Sequence, residues 1–294
     1  MKRMYVLLAM ALVIVGRVSQ GQDQPRPTRQ QVYKKVGEVE LKMHIFEPAG
    51  HQASDRRAAI VFFFGGGWVG GRPNQFYPHA AHLAERGMLA MCAEYRVRKQ
   101  HGTTPFECVQ DGKSAIRWVR KNADNLGVDA DRIAAAGGSA GGHVAAATGT
   151  VPGLNEPGED LRISARPGAL VLFNPVYDNG PEGYGYDRVK ARYREISPLH
   201  NIDDQTPPAI VFLGTQDKLI PVATARDFQN RMAVVGVRSE LLLFAGQPHG
   251  FFNFGRGGGK HYRETVAAMD GFLRFVKYLP TQSNSPNPSN KIRN

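Results

Sequence analysis

The chain has 294 residues, is 42% hydrophobic and carries a formal net charge of +11, which is enough apolar material for one large core. No repeat of 20–50 residues is present, which argues against solenoids and propellers. The basic residues are scattered, as at Arg56-Arg57, Arg96–Lys99 and Lys190–Arg194, without a nucleic-acid-binding motif, so the charge describes a solvated surface and excludes nucleic acid as a partner.

Taken in order, Met1-Lys2-Arg3 is a basic start, Met4–Gly16 an apolar run, and Ser19-Gln20-Gly21 a small-residue cleavage site. Residues 1–21 therefore read as a secretory signal peptide. The run is too short to span a bilayer, so the expectation is export to periplasm or medium with no stable membrane insertion. Residues 22–31 read as a flexible leader. Val32–Val36 and Val39–Phe46 alternate around Gly37-Glu38 as an antiparallel hairpin does, and Ala58–Phe64 is continuously apolar, the pattern of a strand covered on both faces.

That strand runs into Gly65-Gly66-Gly67-Trp68, where the absence of side chains leaves backbone N–H groups open to an anion. Phe76–Arg86 reads as a helix, Met88–Glu94 as a buried strand and Phe106–Asn122 as an amphipathic helix. Glu94, Tyr95 and Arg96 would support the glycine loop. Strand Ile133–Gly137 then passes through Gly138-Ser139-Ala140 into a helix, Ala140–Thr148, the strand-to-helix corner of a nucleophile elbow. With ten serines and 33 glycines, random placement yields Gly-x-Ser-x-Gly in roughly one such chain in eight. A helix N-terminus capped by serine is the competing reading, so context decides.

The context is the set of strand ends that follow. Strand Gly168–Phe173 leads to a tyrosine-rich loop, strand Ala209–Gly214 ends at Thr215-Gln216-Asp217, and strand Ser239–Phe244 ends near His249. Helices at Val222–Val235 and His261–Leu279 complete a domain over residues 32–279. Pro280 stops the last helix, and residues 280–294 read as a disordered tail. Alternation of strand and helix points to a mostly parallel sheet with helices on both faces, and functional groups gather at the carboxyl ends of such strands.

A serine hydroxyl needs a base, which assigns His249 as general base and acid, and Asp217 as the group that orients and stabilises the imidazolium. Asp217 is favoured over Asp178, Asp187, Asp203 and Asp204 because only it follows strand Ala209–Gly214. The backbone N–H groups of Gly65, Gly66 and Ala140 are the oxyanion-hole candidates. His143, one turn beyond Ser139, reads as a packing residue. Cys92 and Cys108 are either a disulfide or two packed thiols. This chemistry requires no cofactor and no metal.

The motifs Phe64-Gly65-Gly66-Gly67-Trp68, Gly137–His143, Gly214–Asp217 and Pro248–Phe251 resemble those of α/β-hydrolase esterases related to hormone-sensitive lipase. Within that group the likeness is to the exported, nearly capless carbohydrate esterases of acetylxylan and feruloyl type. The resemblance covers Val32 to Leu279 and implies an α/β-hydrolase fold with little or no cap, and hydrolysis of short-chain, chiefly acetyl, esters of small molecules or polysaccharides. Phe64 stands where the family pattern has histidine. The expected rim is Val151–Pro167 with Tyr177–Asp204, and Trp68, Tyr184 and Tyr186 are the aromatic candidates for substrate contact. A serine peptidase of prolyl-oligopeptidase type and a non-catalytic homologue are the alternative readings.

Overall fold

The computed structural model describes residues 24–281, so the signal-peptide reading and most of the tail lie outside the described residues. Eight strands form one sheet: β1 (Arg29–Val36), β2 (Val39–Phe46), β3 (Arg57–Phe63), β4 (Leu89–Ala93), β5 (Val128–Gly138), β6 (Ala169–Phe173), β7 (Ala209–Gly214) and β8 (Ser239–Phe244). Their spatial order is β1-β2-β4-β3-β5-β6-β7-β8. β2 is antiparallel to both β1 and β4, and every other neighbouring pair is parallel.

The helices are α1 (Tyr77–Ala84), α2 (Arg98–His101), α3 (Pro105–Lys121), α4 (Ala140–Thr150), α5 (Tyr186–Val189), α6 (Val222–Val234) and α7 (Lys260–Phe275). They lie on both faces of the sheet. One core gathers α3, α4 and α6 through residues such as Ile116, Val144 and Phe228. The other gathers α1 and α7 through Leu83, Met269 and Phe272. Strands covered on both sides need continuous apolar runs, which is why β3, β4, β6 and β7 read without alternation. Cys92 belongs to the second core and Cys108 to the first. The sheet separates them, and both are free thiols.

Local chemistry sets the boundaries. Thr104 and Glu107 form a capping box ahead of α3, with Pro105 in its first turn. The strand expected from Val32 begins at Arg29, because Arg29 to Gln31 pair with β2, so part of the expected leader is sheet. The last helix ends at Phe275 instead of reaching Leu279. Lys277 takes a left-handed conformation (φ 65°) that turns Tyr278 and Leu279 back into the core, where both amides donate to the Leu273 carbonyl. Pro280 follows a helix that has already ended.

The expected rim is half corrected. Residues 151–167 are strapped to α3. Lys113 donates to the carbonyls of Val151 and Gly153, Arg117 reaches Asn155, Glu159 and Ile163, and Arg120 reaches the carbonyls of Ser164 and Arg166. Its first part stays near the β6–β7 connection, where Val151 and Leu154 pack with Phe106, Val189 and Ile196 and Glu156 pairs with Arg96, and only the later part follows α3 toward the end that feeds β5. Residues between β6 and β7 do cover the glycine loop, with only the short α5 and 3-10 turns at Lys190–Glu195 and Pro198–His200 as helical structure.

Candidate active site

β5 delivers Ser139 at its carboxyl end, and α4 starts at the next residue. Ser139 has φ 54° and ψ −122°, a strained conformation typical of a nucleophile elbow. The turn closes only because its neighbours lack side chains. A Cβ on Gly137 would lie 2.3 Å from the Gly141 carbonyl oxygen, and one on Gly141 would lie 2.1 Å from the Phe63 carbonyl oxygen. β5 and α4 therefore approach to backbone contact beside β3.

The structure brings Ser139, His249 and Asp217 together. His249 Nε2 is 2.9 Å from Ser139 Oγ, and His249 Nδ1 is 2.7 Å from Asp217 Oδ2. Because a carboxylate only accepts, the Nδ1 proton faces Asp217, which leaves the Nε2 lone pair for the serine hydroxyl. The Asp217 side chain is fully buried, and its other oxygen accepts the amides of Leu219 and Ile220 at 2.9 and 3.0 Å. Those bonds orient the carboxylate before it meets the imidazole.

The three oxyanion candidates do not stand alike. The Gly65 N–H already donates to Gln75 Oε1 at 2.6 Å, so it is not available to an oxyanion. Gly66 and Ala140 have no backbone or side-chain acceptor among the described residues. Ala140 is the first residue of α4, where an amide has no intrahelical partner. Gly66 has φ 134°, and a Cβ there would lie 2.1 Å from the Gly70 carbonyl oxygen, so glycine is required.

Phe64 does not leave the loop untethered. Its ring stacks on Tyr95 with centroids 4.1 Å apart, and the Tyr95 hydroxyl donates to the Phe64 carbonyl at 2.6 Å. Gln75 holds Gly65, and Arg188 donates to the Gly67 carbonyl at 2.6 Å while covering the rings of Trp68 and Tyr184. Of the three residues expected to support the loop, Tyr95 touches it. Arg96 instead pairs with Asp111, and Glu94 with His44 and the Lys42 amide.

Trp68 is corrected as a substrate contact. Only 1% of it is exposed, its ring lies edge-on to His143 with centroids 5.0 Å apart, and Tyr184 and Arg188 cover it. Tyr184 and Tyr186 are half-buried in the segment that covers the loop. His143 is fully buried and its Nε2–H points at Asn179 Oδ1 and the Ile196 carbonyl. Burial pulls its pKa down to about 4, so it ties α4 to the covering segment as a neutral ring.

Sequence reasoning passed over Asn174. This residue is fully buried directly after β6, with φ 33°. Its Oδ1 accepts the Gly250 amide at 2.9 Å, and its Nδ2 lies 3.4 Å from His249 Nε2. The rule that located Asp217, a polar residue at a strand's carboxyl end, applied to Asn174 as well.

Two family models match parts of the chain: BD-FAE over residues 43–165 and the dienelactone hydrolase family over residues 182–283. Esterase LipC of Mycobacterium tuberculosis is 32% identical over 216 residues, covering 65% of this chain and 52% of that protein. A probable carboxylic ester hydrolase of the same organism, LipM, is 28% identical over 252 residues, covering 76% of this chain and 56% of that protein. The chain thus spans about half the length of these curated relatives. Among solved structures, apo Thermogutta terrifontis esterase 2 superposes with a TM-score of 0.85 at 46% identity, covering 88% of this chain and 98% of that one. The same enzyme phosphorylated by paraoxon gives 0.83 at 47% identity, covering 86% and 96%. With a strained serine between β5 and α4, an imidazole and a carboxylate in hydrogen-bonded sequence, and near-complete coverage of a solved esterase, the chain belongs to the α/β-hydrolase serine esterases related to the hormone-sensitive-lipase-like families.

Proposed function

We propose that this protein is an exported serine esterase that hydrolyses short-chain acyl esters, acetyl esters foremost, including those carried on polysaccharides. The observation that carries the reading is the hydrogen-bonded run Ser139–His249–Asp217 beside the unpartnered amides of Gly66 and Ala140. In this reaction Ser139 Oγ attacks the ester carbonyl while its proton passes to His249 Nε2. The tetrahedral oxyanion is stabilised by the Gly66 and Ala140 N–H groups. Collapse expels the alcohol, which takes the proton from His249 and leaves an acyl-Ser139. Water then repeats the sequence and releases the carboxylic acid.

The short-acyl preference is supported by structures of Thermogutta terrifontis esterase 2 with propionate and with butyrate bound. The polysaccharide reading rests on the half-buried Tyr184 and Tyr186 and on the absence of large helices between β6 and β7. Ser139 is left half-exposed, as a bulky leaving group would need. Export rests on the basic and apolar start of the sequence.

The test compares wild type with Ser139→Ala on p-nitrophenyl acetate, butyrate and octanoate, on acetylated xylan and on proline-containing dipeptide amides. Turnover of the acetyl substrates that vanishes in Ser139→Ala, with an unchanged melting curve, supports the reading. Turnover retained without the hydroxyl overturns the mechanism, and cleavage of the amides alone replaces esterase by peptidase.

A further inference from the structure

Two primary amides link the oxyanion loop to the histidine loop. Gln75, in the 3-10 turn Pro73–Phe76 ahead of α1, accepts the Gly65 N–H through Oε1 at 2.6 Å and donates from Nε2 to Asn253 Oδ1 at 2.9 Å. Asn253 then donates from Nδ2 to the Gly250 carbonyl at 2.8 Å. Gly250 is the residue after His249, and its N–H is held by Asn174. Every hydrogen bond in the run, from the Gly65 amide to the Gly250 carbonyl, points in the same direction. Each bond therefore polarises the next.

The residue types follow from that direction. A side chain in either position must accept at one end and donate at the other, which a carboxamide does and a carboxylate or hydrocarbon does not. Gly65 adjoins the oxyanion donor Gly66, and Gly250 adjoins the base. The bridge thus spans the two groups whose separation must stay fixed as charge develops on the substrate oxygen and the imidazole.

We infer that Gln75 and Asn253 act together as one positioning bridge that fixes the Gly66 oxyanion donor relative to His249. This rests on the reading of Ser139, His249 and the glycine loop as hydrolytic machinery. Neither side chain contacts the reacting atoms. Their effect belongs in kcat and not in KM.

The experiment is a double-mutant cycle of Gln75→Met, Asn253→Leu and the pair, using p-nitrophenyl acetate, with backbone amide exchange of Gly65 followed in parallel. Each single variant is expected to lose about 10- to 100-fold in kcat with KM changed less than the rate. The pair is expected to fall no further than the worse single, because one broken link already opens the bridge. Gly65 exchange is expected to accelerate in Asn253→Leu, although residue 253 does not touch Gly65. Should the leucine variant fold poorly, Asn253→Asp keeps an acceptor for Gln75 and replaces the donation to Gly250 by a carboxylate oxygen that its carbonyl repels. Losses that multiply in the pair, or unchanged Gly65 exchange in the residue-253 variants, overturn the bridge. A wild-type protein that hydrolyses no ester overturns the catalytic reading instead, and the exchange measurement still decides the bridge.

Discussion

His79 makes the protein's stability depend on pH. The ring is fully buried among Phe62, Phe76, Phe173, Phe252 and Tyr262, and neither nitrogen has a partner among the described residues. Burial, assisted by the neighbouring His82, lowers its pKa from 6.5 to about 3. The folded state therefore refuses a proton that the unfolded chain accepts below about pH 6.5, so stability is intact above that value and declines as pH falls toward 3. With those two pKa values, the loss attributable to this ring between pH 7 and pH 5 is about 2 kcal/mol. For a domain of this size that corresponds to a melting-temperature difference of about 4–8 °C. Replacing the ring by leucine, close in volume and unable to titrate, should reduce the pH 7 to pH 5 difference in urea-unfolding free energy by that amount, whatever the variant's absolute stability. An equal pH difference in His79→Leu and wild type would refute the assignment of a neutral, unpartnered ring. The consequence reaches the candidate site, because Phe252 and Phe76 of the same cage pack against Gly138, beside Ser139.

Other outcomes are checked more simply. Asp217→Asn leaves the fold intact but cannot hold the Nδ1–H tautomer, so kcat should fall about 10⁴-fold, measured as steady-state ester hydrolysis with labelling of Ser139 by a fluorophosphonate as a control. Gly141→Ala places a Cβ 2.1 Å from the Phe63 carbonyl oxygen, against backbone that cannot give way, and should cost about 3 kcal/mol or more, read as a lowered thermal midpoint by circular dichroism. Cys92 and Cys108 are both buried free thiols, and burial pushes both pKa values up. A thiol reagent should find neither in the native protein and two after denaturation without reductant. A count of zero after denaturation would establish the disulfide that the sheet's interposition forbids.

The sheet and the candidate site were legible in the sequence to different depths. Buried strands announce themselves as apolar runs, and β7 falls at the residues its composition indicates, Ala209–Gly214, as does the half-buried edge strand β8 at Ser239–Phe244. Ser139, Asp217 and His249 were readable because parallel-sheet topology converts order along the chain into proximity at one edge. Gln75 and Asn253 were not, since they are 178 positions apart and neither amide carries a local sign of its partner. The later part of the rim expected at residues 151–167 was misplaced for a related reason. A polar, proline-bearing stretch looks like a free loop until Lys113, Arg117 and Arg120 of α3 are seen to hold its carbonyls. Trp68 follows the glycines as a ligand-facing aromatic would, and only packing against His143 and Tyr184 shows it turned inward.

The glycine loop has a consequence for the order in which the protein matures. Its anchors come from positions 10, 31 and 121 residues away, namely Gln75 to Gly65, Tyr95 to Phe64 and Arg188 to Gly67. Ser139 also depends on distant chain, since its amide donates to the Phe173 carbonyl and Gly141 packs against the Phe63 carbonyl. A refolding chain acquires the anchored loop only when the segment bearing Arg188 docks. Long-range contacts of that kind form late. Regain of hydrolytic activity should trail regain of helix and sheet, and the interval between them is the docking time of the β6–β7 connection.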